Sequence, residues 1–299
     1  MKEAERAGSG AAVGGPLEPG VRGPVAEAKE CMNVVVFGEC RDSMRALIAD
    51  GVKARQCVTS PPYWGGLRDY GRPGQIGLER DPADYVAALV EVFGLVRELL
   101  TEDGTLWLNV GDVFAASGKG GGGSAGDRAS WATVRERKGF RMPPSGYKMK
   151  DLTLVAFALA DALRRDGWYM RQTIIWRKPA AVEPLRLDRP ATSHEYLYLL
   201  ARSEHYFARN PGAKWWGHSV WDVTSDSDGQ HPAAMPTELA QRCILCGSEP
   251  GDLVFDPFMG SGTTGRAAAS LGRKWLGCEL NDDYSRMQQE RTAQSALAL

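Results

Sequence analysis

The chain has 299 residues, enough for one large domain or for a domain carrying a sizeable insertion. Hydrophobic residues make up 43% of it, which suffices for a full core, and the longest apolar runs, such as 152–163, are too short and interrupted to span a bilayer. The formal net charge of −1 excludes a uniformly basic polyanion binder, so any contact with nucleic acid must come from a locally basic face.

Residues 1–30 are rich in Gly, Ala, Pro and Glu without a hydrophobic period and read as a mobile tail. They lack a secretory apolar region, so the expected location is cytoplasmic. Val34 to Phe37 has the pattern of a short buried strand, after which Asp42 is the expected cap of a helix through Met44, Leu47 and Ile48. Gln56-Cys57-Val58 leads into Thr59-Ser60-Pro61-Pro62-Tyr63-Trp64, where the paired prolines forbid helix and central strand. Helical spacing predicts a helix over 84–100 through Tyr85, Leu89, Val92, Phe93, Val96 and Leu99, and Thr105 to Val110 predicts a strand. Strand and helix therefore alternate, the pattern of a parallel, doubly wound sheet.

Residues 117–150 interrupt that pattern. They hold the run Gly120 to Gly123, then Arg128, Arg135, Arg137, Lys138, Arg141, Lys148 and Lys150, against Asp127 and Glu136. A flexible basic insertion carrying Trp131 suits contact with a polyanion such as DNA. A helix over 152–163 follows, then strands over 169–176 and 195–201, with 205–207 expected to pair with the latter. Residues 209–231 show little regular pattern. Pro236 to Cys246 predicts a helix, Asp252 to Phe255 a buried strand, Thr263 to Leu271 a helix and Trp275 to Cys278 a strand, with a polar helix closing the chain.

The six cysteines are scattered and read as reduced thiols. Cys243-x-x-Cys246 has no second ligand pair, His231 is the nearest further candidate, and the pair lies within a helical pattern; core packing is the reading, and no metal is assigned.

Two segments carry chemistry. Asp256-Pro257-Phe258-Met259-Gly260-Ser261-Gly262-Thr263-Thr264 joins a buried strand to a helix, where glycines let backbone pass close to a ligand. Glu279 ends the next strand, about 20 residues on, the spacing at which a Rossmann-like unit sets an acid on a ribose. There is no Walker lysine, and an aspartate at the strand end repels phosphate. A cationic, phosphate-free nucleoside, S-adenosylmethionine, fits that combination. The second segment, Ser60-Pro61-Pro62-Tyr63, resembles the (D/N/S)-P-P-(Y/F/W) motif of DNA amino-methyltransferases. An exocyclic amine is a poor nucleophile because its lone pair is delocalised into the ring. Acceptors for its N–H groups, here Ser60 Oγ and the Pro61 carbonyl, can turn that lone pair toward a sulfonium methyl. Pro62 helps to fix the carbonyl, and Tyr63 can stack on a base flipped out of the duplex.

The catalytic segment precedes the cofactor segment. This order resembles the β-class DNA amino-methyltransferases over roughly residues 33–292. The resemblance implies an α/β, Rossmann-like S-adenosylmethionine-dependent methyltransferase fold, circularly permuted, with inserted DNA-recognition segments, acting on double-stranded DNA, with a homodimer expected. Gly38-Glu39-Cys40-x-Asp42-x-Met44 resembles the family's element beside the cofactor adenine, with Glu39 where Asp is common. Ile174-Ile175-Trp176-x-Lys178-Pro179 and His194-Glu195-Tyr196 also match. His231-Pro232-Ala233-x-x-Pro236-x-x-Leu239 resembles the element beside the methionine moiety, and 205–231 becomes the expected target-recognition segment. Cofactor contacts are thus expected at Glu39, Asp42, Thr59, His231, Pro232, Ala233, Asp256, Pro257, Phe258, Gly260, Ser261, Gly262, Thr263, Thr264 and Glu279. DNA contacts are expected at Trp64, Arg135, Arg137, Lys138, Arg141, Lys148, Lys178 and Lys214. Serine in the first motif position is more typical of N4-cytosine enzymes. The longer run through Trp64, Leu67, Arg68, Asp69 and Tyr70 resembles phage-type and orphan bacterial enzymes assigned to either base, and on it adenine N6 is the expected target. N4-cytosine methylation, an RNA amino-methyltransferase and a non-catalytic DNA-binding regulator are the alternatives. A partner nuclease is left open.

Overall fold

A computed structural model of the chain describes residues 32–65, 69–115, 143–144, 146–179, 188–224, 235–285 and 288. Its elements in chain order are β1 (Val34–Phe37), α1 (Cys40–Ala49), β2 (Ala54–Thr59), α2 (Pro82–Leu99), β3 (Leu100–Val110), α3 (Val155–Arg165), β4 (Tyr169–Arg177), β5 (His194–Ala201), β6 (Val220–Asp222), α4 (Thr237–Gly247), β7 (Leu253–Asp256), α5 (Thr263–Ser270) and β8 (Lys274–Glu279). Short 3-10 turns lie at Lys214–Gly217 and Asp282–Tyr284.

The strands form a single sheet in the order β1-β8-β7-β2-β3-β5-β4-β6. From β1 to β3 every pairing is parallel, but β5 runs antiparallel to both β3 and β4. The sheet is therefore mixed, and the expectation of an all-parallel sheet is corrected. The physical reason lies in the connections. A parallel return needs a crossover, usually a helix, which α2 and α3 supply. Among the described residues no helix separates β4 from β5, and β5 turns back beside its predecessor.

Each face of the sheet buries its own core. α2 starts at Pro82 behind the cap Asp81, whose carboxylate accepts the Ala83 amide at 2.9 Å. It lays Tyr85, Leu89, Val92, Phe93, Val96 and Leu99 onto β3, all fully buried, with α1 and α3 at its sides. Each such side chain contributes about 1.5–3 kcal/mol of burial. On the opposite face α4 and α5 pack together, with Leu239, Cys243, Ile244, Ala267 and Ala268 against Trp107, Trp221 and Trp275. Cys243 and Cys246 are both buried on α4. Among the described residues no group of three or more His, Cys, Asp or Glu is placed to hold a metal, and no helix is long and apolar enough to cross a membrane.

Several local expectations are corrected. The cap of α1 is Glu39, which accepts the amides of Arg41 at 3.0 Å and Asp42 at 3.4 Å; Asp42 sits inside the first turn and pairs with Arg45. α3 begins at Val155 because Leu154 has a left-handed backbone, φ 56°, which a helix cannot pass through. Residues 205–207 do not extend the sheet beside β5; the Phe207 amide donates to the Asp103 carbonyl instead. β6, three residues long, is too short for a periodic signal.

These connections set the site. The chain leaves β7 toward β8 on one side and leaves β2 toward β3 on the other, so the strand order reverses between β7 and β2. Open α/β sheets bind ligands at the carboxyl ends of strands at such a point.

Candidate active site

Four strand ends converge there: Gly38 and Glu39 after β1, Ser60 after β2, Asp256 ending β7 and Glu279 ending β8. They surround a cavity of about 210 Å³, which also takes in Pro61, Pro62, Tyr63 and the loop from Pro257 to Ser261.

Asp256 is 3% exposed, yet its carboxylate accepts three bonds: Thr59 Oγ1 at 2.6 Å, Thr264 Oγ1 at 2.7 Å and the Phe258 amide at 2.9 Å. Burial pushes its pKa up to about 6, with those hydrogen bonds holding against the rise. Thr59 is fully buried behind Asp256 and braces it without lining the cavity. Glu279 accepts the Gly260 amide at 2.7 Å and the Asn281 amide at 2.8 Å, and burial raises its pKa as well. The turn into α5 needs glycine at 262, where φ is +87°.

The lining contains three carboxylates, Glu39, Asp256 and Glu279, and no lysine, arginine or histidine among the described residues. Such a wall repels phosphate and favours a cation. Phe258, Ile76 and Met259 supply apolar surface for a flat ring, and the carboxylates supply acceptors for hydroxyl and ammonium groups. A sulfonium nucleoside carrying an amine fits this donor and acceptor set.

On the opposite wall the turn 60–63 is held from behind. The Tyr63 hydroxyl donates to Glu195 Oε2 at 2.6 Å, and Asn109 Nδ2 donates to the Tyr63 oxygen at 2.7 Å, to Glu195 Oε2 at 2.9 Å and to Ser60 Oγ at 3.4 Å. Burial first, and the Glu195 charge second, push the Tyr63 phenol well above its usual pKa. Lys178 closes the network on Glu195 Oε1 and lies 4.4 Å from the Trp176 ring centre. Gly111 lies under the Tyr63 ring, where an added Cβ would fall 2.7 Å from Cε2. Tyr85 donates to the Pro62 carbonyl at 2.9 Å.

Most of the expected cofactor set, from Glu39 through Asp256 to Glu279, is gathered at this cavity. Asp42 is not: it points to solvent and pairs with Arg45. His231, Pro232 and Ala233 lie outside the described residues, as do Arg135, Arg137, Lys138 and Arg141. Lys148 and Lys214 are exposed. Trp64 is 2% exposed, its indole donating to the Glu79 carbonyl at 2.8 Å, so it belongs to the core and cannot meet DNA. Lys178 is spent on Glu195, its side chain 11% exposed, rather than presented to a phosphate. Sequence reading missed Asn109, Glu195, Tyr70, Gln75, Ile76, Met235, Leu280 and Tyr284 as site residues. Glu195 was visible only as part of a matching strand. Tyr70 and Tyr284, both lining the cavity, meet edge-on at 6.2 Å, and Arg72 pairs with Asp282 nearby in the chain, contacts between segments too distant in sequence to be read in advance.

Comparison with known proteins agrees with this geometry. The profile of the N6/N4 DNA methylase family matches residues 54–290. The chain is similar to the Type II methyltransferase M.SmaI of Serratia marcescens, 40% identical over 86% of this chain and 89% of that one. It is also similar to the Type II methyltransferase M.XycI of Xanthomonas campestris pv. cyanopsidis, 41% identical over 85% of each. Among solved structures, TTHA0409 of Thermus thermophilus, in complex with S-adenosyl-L-methionine, shares the fold, with a TM-score of 0.61 at 24% identity, covering 88% of this chain and 94% of that one. With a profile match over most of its length and relatives this close, the chain belongs to the N6-adenine/N4-cytosine family of S-adenosylmethionine-dependent DNA methyltransferases.

Proposed function

We propose that this chain is a circularly permuted, β-class enzyme that methylates the N4 amine of cytosine within a specific sequence of duplex DNA. The observation that carries the reading is the meeting of the Ser60–Tyr63 turn with Asp256 and Glu279 in one carboxylate-lined cavity. Bound S-adenosylmethionine supplies the electrophilic methyl group. Asp256, Glu279 and Glu39 hold its polar groups, and Phe258 packs on its base. Ser60 Oγ and the Pro61 carbonyl accept the N–H groups of the target amine, and Tyr63, fixed by Glu195 and Asn109, forms the platform for the flipped base. The exposed Lys148 and Lys214 contact phosphates, together with the basic residues of 117–150, and 205–231 contributes to sequence recognition.

The choice of base rests on the residue in the first motif position. The run that favoured adenine adds no support for it: Trp64 is core, Tyr70 lines the cavity beside Tyr284, and 66–68 lie outside the described residues. Ser60 remains as the motif residue at the amine, and serine there is more typical of N4-cytosine enzymes. The names of the two full-length relatives support a place as the modification half of a restriction pair. A homodimer is carried over from the family resemblance.

The test is methyl transfer from labelled S-adenosylmethionine to duplex DNA, followed by mass spectrometry of the nucleosides. N4-methylcytosine is expected. N6-methyladenine in its place would return the target to adenine, and labelled RNA with unlabelled DNA would overturn the reading.

A further inference from the structure

Methylating an amine leaves it with one proton too many, and none of the cofactor-binding groups disposes of that proton. Asp256 and Glu279 belong to the cofactor wall. On the base side Ser60 Oγ, the Tyr63 oxygen and Glu195 Oε2 gather around one amide nitrogen, Asn109 Nδ2, at 3.4, 2.7 and 2.9 Å, and Tyr63 donates onward to Glu195 Oε2 at 2.6 Å. Asn109 Nδ2 donates to both the Tyr63 oxygen and Glu195, which prevents the phenol from turning its proton elsewhere. Lys178 pairs with the other carboxylate oxygen, which leaves Oε2 as the oxygen turned to Tyr63. The Glu195 side chain is 16% exposed, so water can reach the far end of this chain of bonds.

We propose that Glu195 is the terminal acceptor of the reaction's proton, reached from the base through Ser60 and Tyr63. This inference rests on the amine-methylation reading above. The base nitrogen bonds to the methyl carbon while the carbon–sulfur bond breaks and sulfur keeps the electron pair. The nitrogen's surplus proton passes to Ser60 Oγ, the Ser60 hydroxyl proton to Tyr63, and the Tyr63 proton to Glu195 Oε2. The products are a neutral methylated amine, a neutral thioether, an intact serine and tyrosine, and a carboxylic acid that water discharges. The step runs downhill, because an N-protonated exocyclic amine is a far stronger acid than a carboxylic acid. An acceptor already in line also stabilises positive charge as it develops on nitrogen. Aspartate in the first motif position could take that proton itself. Serine cannot hold it, so a relay is needed here.

The experiment compares wild type with Glu195→Gln, Tyr63→Phe and the double variant, each in single turnover with saturating S-adenosylmethionine and duplex DNA. Cofactor affinity by calorimetry and melting temperature report on folding. Each single variant is expected to slow methyl transfer by about a hundredfold with cofactor affinity retained, and the double variant to be no slower than either. The wild-type rate should fall in heavy water, and both single variants should lose that dependence. Infrared difference spectra of one wild-type turnover should gain a carboxylic acid C=O band that Glu195→Gln lacks. Single variants near the wild-type rate, multiplying losses in the double variant, or a missing infrared band would each overturn the relay. Absence of DNA methylation by the wild type would instead overturn the amine-methylation reading.

Discussion

Asp256→Asn tests the electrostatics of the site directly. Asp256 has a carboxyl pKa of 3.8 when unperturbed and about 6 in the folded chain, because burial disfavours its charge. A shift of roughly two units corresponds to about 3 kcal/mol. The sign follows from linkage: the folded state holds this proton more tightly than the unfolded state. Protonation therefore contributes stability that is fully present below pH 3.8 and is lost as pH rises through about 6. Asparagine has the same shape and never ionises. It gives up one good acceptor toward Thr59 or Thr264, a loss of about 1 kcal/mol. At pH 8 the variant should be more stable than wild type by about 2 kcal/mol, which is about 4–6 °C in melting temperature. At pH 4 it should be the less stable of the two. Melting curves of both proteins between pH 4 and pH 8 measure the gap, and effects of other titrating groups cancel in the difference. Its cofactor affinity should fall at the same time. A gap that does not change with pH, or an asparagine variant weaker than wild type at pH 8, would refute the reasoning.

Glu279→Gln should weaken S-adenosylmethionine binding by about 10- to 100-fold, read by calorimetry, since a buried charged acceptor is lost. It should not stabilise the fold as Asp256→Asn does, because its amide N–H would face the Gly260 or Asn281 backbone N–H. Gly111→Ala drives a methyl group into the Tyr63 ring; single-turnover methylation should drop about tenfold or more while cofactor affinity holds, the misplacement acting on orientation. Lys214→Ala should lower the slope of log affinity against log salt for DNA by about one contact's worth. Trp64→Phe should leave that slope unchanged but lower the melting temperature, because it removes the bond to Glu79 from the core.

The fold was legible wherever an element carries its own period. α2 announces itself by six buried residues at helical spacing behind an Asp-Pro cap, and β7, β8 and the turn between β7 and α5 by short apolar runs broken at glycine. Where the outcome depended on partners, sequence was silent. Nothing in His194 to Ala201 says that the strand runs antiparallel, since burial on both faces reads alike in either direction. Lys178 looked like a phosphate ligand because its partner Glu195 sits on another strand and meets it only once β4 and β5 pair. Asp42 and Glu39 show the same limit at short range. Either can cap α1, and the backbone entering from β1 makes Glu39 the residue that reaches the free amides.

The cavity's three carboxylates also couple cofactor binding to protons. Glu39 is paired with Arg41 at 2.9 Å, so the uncompensated charge of the wall is that of Asp256 and Glu279, whose repulsion is relieved by protonating Asp256 or by binding a positive ligand. The two compete. A cation beside a carboxyl favours its ionised form and lowers its pKa. Near pH 6 the free protein holds about half a proton at Asp256, and binding of the sulfonium nucleoside should expel it. At pH 8 that proton is already gone and binding should release none from this group. Calorimetry in buffers of different ionisation enthalpy counts the released protons, and Asp256→Asn should abolish the difference between the two pH values. Equal proton release at pH 6 and pH 8 in the wild type would show that Asp256 is not the group facing the cofactor's charge.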